Sequence, residues 1–428
     1  MATPVTRSIV CPVLIGRESH LDSLLHFIEQ AQHGRGQTVL VSGEAGIGKS
    51  RLIAEALKTV RSAHVQNAAT TTLILEGRCF EPDRTLPYAL MLDLLRSFLA
   101  VHSAHDVAAL AGSVAPDLVK LLSEITASMS ASGPGTTLDP EQEKRRLFSA
   151  LLHFYSRLAE GQPLILVIED MHWSDDNSLE FLLYLARHIA SHPILLLLTY
   201  RTEEEHPQLL QFFAGLDRER LTTELMLSHL SIDEAEVMVR TIMGEQRPVS
   251  ADFIAAIYTP TEGNPFFIEE MLKSLVTSGE LIYTQGKLER KSRAKEASQG
   301  LSLPEYQHLP RSVQLAVQQR LNHLSVEARD VLSFAAVVGR RFDFALLQHL
   351  SGRNEADLVR LIKELIAAQL VLEESEDVLV FRHALTRQAA YTDLLVRERK
   401  SLHHSVAQTI ERIYAKARFK KGQKDLTV

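Results

Sequence analysis

The stretch GEAGIGKS, residues 43–50, places one lysine and one hydroxyl residue at the end of a run of small residues. It satisfies the pattern G-x-x-x-x-G-K-[ST], in which backbone N–H groups of a curled loop surround phosphate oxygens. An apolar run, TVLVSG, precedes the loop and a helical pattern follows it. The sequence therefore predicts a nucleoside triphosphate site, with phosphate contacts at Gly43, Glu44, Ala45, Gly46, Ile47, Gly48, Lys49, Ser50 and Arg51.

Two side chains of this loop have separate roles in the prediction. Lys49 is expected to reach the β- and γ-phosphates of ATP, and the Ser50 hydroxyl is expected to bind Mg²⁺. We also expect Lys49 to be a solvated loop residue that contributes little to the core.

A second acidic element follows the apolar run LILVI, where Glu169 and Asp170 end a predicted strand. Carboxylates at the C-terminal edge of a parallel sheet lie beside the ligand crevice. One carboxylate should bind the metal ion, and the other should orient or deprotonate the attacking water. The nearby Asp175 and Asp176 are expected to cap the next helix, and Trp173 is expected to be a packing residue.

Arg201 directly follows the strand pattern ILLLLTY and has two interpretations. At the edge of the crevice its guanidinium could contact the γ-phosphate and act in catalysis. Alternatively, it could form a surface ion pair with the acidic residues 203–205.

These residues require a framework of parallel strands covered by helices. Five β-rich runs alternate with amphipathic helices: TVLVSG (38–43), TTLILEG (71–77), LILVIED (164–170), ILLLLTY (194–200) and, more weakly, TELMLSH (223–229). Continuous apolar strands are typical of a sheet that is buried on both faces. We predict an α/β nucleotide-binding domain with a five-stranded parallel sheet over residues 12–228.

Helical periodicity dominates the remainder of the chain. Residues 229–300 are predicted to form a helical lid domain, in which Asn264 caps a helix, Pro265 takes its first position and Gly279 follows its last turn. Residues 301–396 show three helices, two strands around an acidic turn and another helix, which is a winged-helix pattern. Residues 397–428 form a last helix without an evident partner, which could begin a further unit.

The composition excludes several classes of protein. The formal net charge of −7 creates no global attraction for nucleic acid or for anionic membranes. Two cysteines are too few for a disulfide or zinc framework and suit a reducing compartment. The longest apolar runs fall far short of the roughly 20 residues that span a bilayer. A cytoplasmic protein without membrane contact is expected.

Several segments occur together in an order that resembles a known family. LIGRESHLDSLL, the phosphate loop, VIEDMHWSD, TYR, EGNPFFIEEM and VFRHALTRQAAY follow one another along the chain. The combination resembles the signal-transduction ATPases with numerous domains, the STAND class of AAA-like P-loop ATPases. It is most similar to the ATPase modules of LuxR-type bacterial regulators and class III adenylate cyclases.

The resemblance implies further nucleotide contacts and a switching role. It places Ile15, Gly16 and Arg17 beside the adenine and ribose, Pro265 on the adenine, and His383 on the β-phosphate of ADP. Arg17 could instead only begin a helix, and His383 could be a core or capping residue. Pro265 also fits helix initiation, a role that is compatible with the adenine contact. The implied activity is slow ATP hydrolysis with Mg²⁺, and exchange of ADP for ATP is expected to open the molecule and promote self-association. The resemblance implies a role in the control of transcription or cyclase activity in response to an unidentified signal.

Two features complicate the resemblance. Glu169 stands where many family members have Asp, and the extra methylene changes the metal geometry and the expected hydrolysis rate. The chain also stops where family members continue into helical repeats, so it could be a short homologue or a fragment.

Two other functions are consistent with a phosphate loop. One is an origin-recognition-like ATPase that binds DNA through its winged helix, but the candidate recognition helix, residues 354–369, has three acids against two bases. Groove-reading helices are instead rich in Lys and Arg, so direct DNA binding is not expected. The other is a metabolic kinase, for which the chain shows no evident acceptor pocket.

Overall fold

The structure is a computed structural model that divides into two compact units, Gly16–Ser228 and a second unit formed by Met1–Ile15 with His229–Val428. It describes residues 9–66, 71–99, 102, 110, 112–114, 118, 139–244, 249–284, 287–290, 318, 320–321, 324–368 and 370–424. The predicted boundary after residue 228 coincides with this division, but residues 12–15 belong to the second unit. The predicted lid–winged-helix boundary at residue 300 lies outside the described residues and stays a prediction.

The first unit contains a five-stranded parallel sheet, as predicted. Its strands are β1 (Gln37–Ser42), β2 (Leu73–Arg78), β3 (Leu164–Glu169), β4 (Ile194–Thr199) and β5 (Thr222–Met226), in the spatial order β2-β3-β4-β1-β5. Strands β1, β3 and β4 are almost entirely buried, whereas the edge strand β5 is largely exposed. Burial on both faces explains why the central strands are continuous apolar runs and why β5 has a weaker pattern.

Helices connect the parallel strands and supply the core that packs against the sheet. Aromatic side chains from two of these helices, Phe154, Tyr155 and Phe181, are fully buried with Leu166 and Leu196 of the sheet. Among the described residues, the α-helices of the first unit include α1 (Glu18–Gln32), α2 (Lys49–Gln66), α3 (Ala89–Leu99), α4 (Pro140–Gly161), α5 (Asp176–His188) and α6 (Pro207–Glu219).

The second unit begins with three helices, α7 (Ile232–Met243), α8 (Ala251–Thr261) and α9 (Pro265–Thr277). The start of α9 follows the sequence signals, because the Asn264 side chain accepts a hydrogen bond from the Phe266 N–H and Pro265 takes the first helical position. An antiparallel hairpin, β6 (Leu281–Thr284) with β7 (Lys287–Arg290), comes next and was not predicted.

A mixed helix–strand segment follows, with α10 (Val326–Val338), β8 (Arg341–Asp343), α11 (Phe344–Ser351), α12 (Glu355–Ala367), β9 (Val371–Ser375), β10 (Val378–Phe381) and α13 (Ala384–Asp393). Strands β9 and β10 form the expected hairpin, and the unpredicted β8 pairs with β10. That this segment is a winged helix stays a proposal.

The last helix, α14 (Val396–Lys424), does have partners, contrary to expectation. It contacts α10 and α11, and Val406 and Thr409 are buried there. None of the described helices combines the length and the apolar surface that a membrane-spanning segment requires.

Gly263 is a backbone position that no other residue can occupy without a shift. Its φ is +79°, and an added Cβ would lie 2.1 Å from the Leu230 carbonyl oxygen. Gly279 has a similar φ of +74° but open space around its Cα.

We expect Gly263→Ala to lower the free energy of unfolding of the second unit by about 3 kcal/mol or more, from backbone strain and overpacking together. Gly279→Ala should cost only the backbone strain, about 1 kcal/mol. Urea unfolding followed by circular dichroism measures both values, and equal losses for the two variants would contradict the close approach at Leu230.

Candidate nucleotide-binding site

The phosphate loop joins the central strand β1 to helix α2, and its glycines have backbone conformations that other residues rarely adopt. Gly43, Gly46 and Gly48 have φ values of +140°, +77° and +107°. An added Cβ at Gly43 would lie 2.7 Å from the Leu227 carbonyl oxygen, so the loop also needs a glycine for the close approach of the chain after β5. The curled shape is the one that directs successive N–H groups toward an anion.

Lys49 opens α2 and is not the solvated residue that we expected. It is 8% exposed, and its ammonium donates hydrogen bonds to the Gly43 and Glu44 carbonyl oxygens at 2.5 and 2.9 Å. Burial lowers the pKa of Lys49 to about 8, although the nearby Glu203 carboxylate opposes this shift. Two carbonyl oxygens of the loop therefore hold the Lys49 ammonium in position.

The two predicted carboxylates come to the same edge of the sheet as the phosphate loop. The Ser50 hydroxyl donates to Glu169 Oε2 at 3.1 Å, so two of the three predicted metal ligands, Ser50, Glu169 and Asp170, are in contact. Asp170 has a left-handed backbone, φ +57°, and its N–H donates to Thr199 Oγ1 at 3.0 Å. A hydroxyl beside a carboxylate fits Mg²⁺, which binds few protein oxygens and keeps waters and phosphate oxygens as its other ligands.

Two arginines flank these carboxylates, and only one of them was predicted. Arg201 lies 3.6 Å from Asp170 Oδ1 through Nε and donates from Nη1 to Glu204 Oε1 at 2.7 Å, so the ion-pair interpretation holds in the structure. Arg78 at the end of β2 donates to Glu169 Oε2 at 2.6 Å, and its Nε lies 3.6 Å from Asp170 Oδ2. The sequence shows no signal for Arg78, because its proximity follows from the pairing of β2 with β3.

The turn after β4 contributes two further acids, Glu203 and Glu204, for which the sequence predicts only a possible ion pair with Arg201. Glu203 is buried, and its Oε1 accepts a hydrogen bond from the Ala45 N–H of the phosphate loop at 2.7 Å. Glu204 Oε2 lies 3.2 Å from Nε2 of the buried His172. Burial lowers the pKa of His172 to about 3, so this imidazole is neutral at physiological pH.

Of the three residues beside the acidic pair with expected structural roles, Asp175 caps a helix and Trp173 packs, as predicted, whereas Asp176 takes the first helical position rather than the cap. Asp175 is the N-cap of α5 and accepts hydrogen bonds from the Ser178 and Tyr88 N–H groups, both at 3.0 Å. Asp176 lies in the first turn of the same helix. Trp173 is partly buried against the core of the first unit.

The segment before α1 divides between the two units. Arg17 immediately precedes α1, as the alternative interpretation held, and its buried guanidinium donates to the Ser228 carbonyl oxygen. Gly16 has a positive φ of 64°, and Ile15 packs against the core of the second unit. Their contacts with adenine and ribose stay predictions.

Pro265 and His383 belong to the second unit. Pro265 takes the first position of α9, as predicted. His383 precedes α13; its Nδ1 lies 4.0 Å from Glu262 Oε2, and its ring is edge-on to Phe267 with 5.7 Å between centroids. The nucleotide contacts that the family resemblance implies for both residues stay predictions.

Arg78 contacts the oxygen of Glu169 that also accepts the Ser50 hydrogen bond, so it competes with a metal ion for this carboxylate. We expect Arg78→Met to lower the Mg²⁺ concentration for half-maximal ATP binding by about threefold or more, since charge-assisted hydrogen bonds are strong. Arg61→Met is the control, because Arg61 forms a similar 2.6 Å ion pair with Glu76 of β2. A titration of Mg²⁺ at fixed ATP tests this, and an unchanged requirement in Arg78→Met would contradict it.

Comparisons with known proteins agree with this geometry. Residues 13–198 match the model of an AAA ATPase domain. A protein of uncharacterised function from Rhizobium meliloti (strain 1021) is 25% identical over 406 residues, which cover 91% of this chain. The chain spans only 36% of the length of that relative.

Two solved structures align with this chain at low sequence identity, and the first of them shows a similar fold. The ORC2 protein of Aeropyrum pernix aligns with a TM-score of 0.51 at 13% identity, covering 95% of this chain and 96% of that one. A STAND protein with a tetratricopeptide repeat sensor from Pyrococcus horikoshii aligns with a TM-score of 0.32 at 16% identity, covering 96% of this chain and 47% of that one. The chain therefore has the P-loop NTPase fold, and its residues 13–198 are similar to AAA ATPase domains.

Proposed function

We propose that this protein is a cytoplasmic ATP-binding switch that hydrolyses ATP slowly. The observation that carries the ATPase part is the contact between the Ser50 hydroxyl and Glu169, beside a phosphate loop whose Lys49 is already positioned. These groups supply a cation for the phosphates and a pair of oxygens for Mg²⁺. When bound, the metal ion neutralises charge on the phosphate oxygens.

Asp170 is the proposed base. Its backbone is left-handed, and a guanidinium nitrogen of Arg78 and one of Arg201 each lie 3.6 Å from one of its carboxylate oxygens. These positive charges orient the carboxylate while its oxygens accept a proton from the attacking water. Glu169 is the proposed cause of slow turnover. Its side chain is one methylene longer than the Asp that many STAND ATPases have at this position, and it accepts a hydrogen bond from Arg78.

We expect Asp170→Asn to keep ATP binding and to lose turnover by about two orders of magnitude or more, because an amide does not accept the proton. Glu169→Gln should instead raise the Mg²⁺ requirement. Lys49→Ala, which removes the cation of the loop, is the control that loses binding. Single-turnover hydrolysis and equilibrium ATP binding separate these effects. If Glu169→Gln, and not Asp170→Asn, loses turnover while its Mg²⁺ affinity stays intact, then Glu169 is the base and Asp170 is the metal ligand.

The switch part of the proposal rests on the family resemblance and on the distribution of the predicted contacts. Arg17, Lys49 and Glu169 belong to the first unit, whereas Pro265 and His383 belong to the second. We propose that ADP holds a closed arrangement and that ATP favours an open, self-associating one, as a two-state switch requires. The output, in transcription or cyclase regulation, is part of this proposal.

His383→Ala tests the switch separately from the ATPase. If the imidazole donates a hydrogen bond to ADP, its loss should speed ADP release roughly ten- to a hundredfold and increase self-association with ATP. His349→Ala is the control, because His349 is an exposed histidine of α11 in the same unit. Release of labelled ADP and light scattering measure the two effects. Unchanged release with lowered thermal stability would show that His383 only packs against Glu262 and Phe267.

A second candidate is DNA binding of the origin-recognition kind, which the fold-level similarity to the ORC2 structure favours. Against it, the exposed residues of α12 include Glu355 and Asp357 as well as Arg360 and Lys363, so the helix presents no basic surface. A mobility-shift assay with duplex DNA at moderate salt distinguishes the candidates, since a retarded complex is expected only for the second.

A further inference from the structure

A buried histidine behind the acidic pair has polar atoms that the rest of the site does not use. His172 is 1% exposed and lies in the short turn that follows Asp170. Within the described residues, neither ring nitrogen of His172 has a hydrogen-bond partner, and the same holds for Glu204 Oε2. Buried polar atoms without partners are costly, so such a group in a folded protein requires a specific reason.

The two side chains are placed to satisfy each other. His172 Nε2 lies 3.2 Å from Glu204 Oε2, which is within reach of a hydrogen bond. The groups are not aligned for one in this structure, but the terminal torsions of both side chains are broad, so a small rotation aligns them. Burial and, next to it, the charge of Arg201 lower the pKa of His172 to about 3. The neutral imidazole therefore donates one N–H and leaves the negative charge of Glu204 available to another partner.

Glu204 extends this contact toward the proposed base. Its other oxygen, Oε1, accepts a hydrogen bond from Arg201 Nη1 at 2.7 Å, and Arg201 Nε lies 3.6 Å from Asp170 Oδ1. Asp170 and His172 belong to the turn after β3, whereas Arg201 and Glu204 belong to the turn after β4. The four side chains therefore join the two turns at two places.

A carboxylate that is held through one oxygen still rotates about its last torsion. A second hydrogen bond, at Oε2, fixes the carboxylate plane and with it the direction from which Oε1 meets Arg201. We propose that His172 is a positioning residue for ATP hydrolysis, which donates a hydrogen bond to Glu204 and thereby holds Arg201 beside Asp170. This inference rests on the proposed ATPase function and adds to it a residue that acts through other side chains.

The variants His172→Gln and His172→Met, made in the full chain, differ in the one property that the proposal requires. Glutamine keeps an N–H donor at about the reach of Nε2, whereas methionine has a similar length and no donor. We expect His172→Met to lower the single-turnover rate of ATP hydrolysis about tenfold or more, as for the loss of one hydrogen bond to a charged group, while the Kd for ATP changes by about twofold or less. His172→Gln should stay within about threefold of the wild-type rate.

A histidine that only packs predicts the opposite order, because a buried methionine is tolerated and a buried amide without a partner is costly. Equal rates in the two variants, or a faster His172→Met, therefore overturn the proposal. His206→Met is the matched control, since His206 is also buried and its Nδ1 accepts the Leu209 N–H at the start of α6. It should lower the thermal stability and leave the single-turnover rate unchanged, and a rate loss equal to that of His172→Met counts against the proposal.

A double-mutant cycle tests the route through Glu204. Glu204→Ala should lower the same rate by a similar factor with ATP binding intact, and adding His172→Met should then cause little further loss. Additive losses overturn the action through Glu204. If His172→Met does not fold, Glu204→Ala, at a partly exposed side chain, must by itself show the loss of rate at unchanged ATP affinity.

The outcomes separate this inference from the proposed function. A wild-type chain that binds and hydrolyses ATP, with variants that follow the packing order, overturns the role of His172 and leaves the ATPase standing. A wild-type chain that does not hydrolyse ATP overturns both.

Discussion

The parallel pairing of β1 with β4, and of β4 with β3, is the constraint on which the candidate site depends. Val39 pairs with Leu197, and Val167 pairs with the same residue on its other side, so the three strands end at one edge. The phosphate loop, the acidic pair and the turn after β4 all begin at that edge. Because the strands are buried on both faces, shifting the register of one strand by a single residue would not improve the burial of its apolar side chains. It would, however, displace the segment that follows that strand relative to the other two segments.

Alternating charges are the second feature of this edge. Lys49 lies close to Glu203, Arg201 contacts Glu204 and Asp170, and Arg78 contacts Glu169. Each buried or half-buried charge thus has an opposite charge within reach, which is the condition for keeping it ionised away from water. Because these charged side chains already contact one another, binding of a nucleotide and its metal ion must replace some of the ion pairs between protein groups.

The second unit has its own core, and the candidate contacts in it also have local structural reasons. Pro265 begins α9, and His383 lies near Glu262 and against Phe267. Glu262 itself has a left-handed backbone and pairs with Arg340, so the corner before α9 is built from several specific contacts. Pro265 and His383 therefore have packing partners within their own unit, whatever contacts they make with a nucleotide.

The sequence by itself determined the features that depend on neighbouring residues. The order of small residues predicted the phosphate loop, continuous apolar runs predicted the five parallel strands, and Asn264 with Pro265 predicted the start of a helix. Only the tertiary structure decided that Lys49 is buried, that Arg78 contacts Glu169 and that Glu203 holds the Ala45 N–H. The reason is physical: local patterns set backbone conformation within a few residues, whereas these contacts join segments far apart in the chain through strand order and side-chain reach.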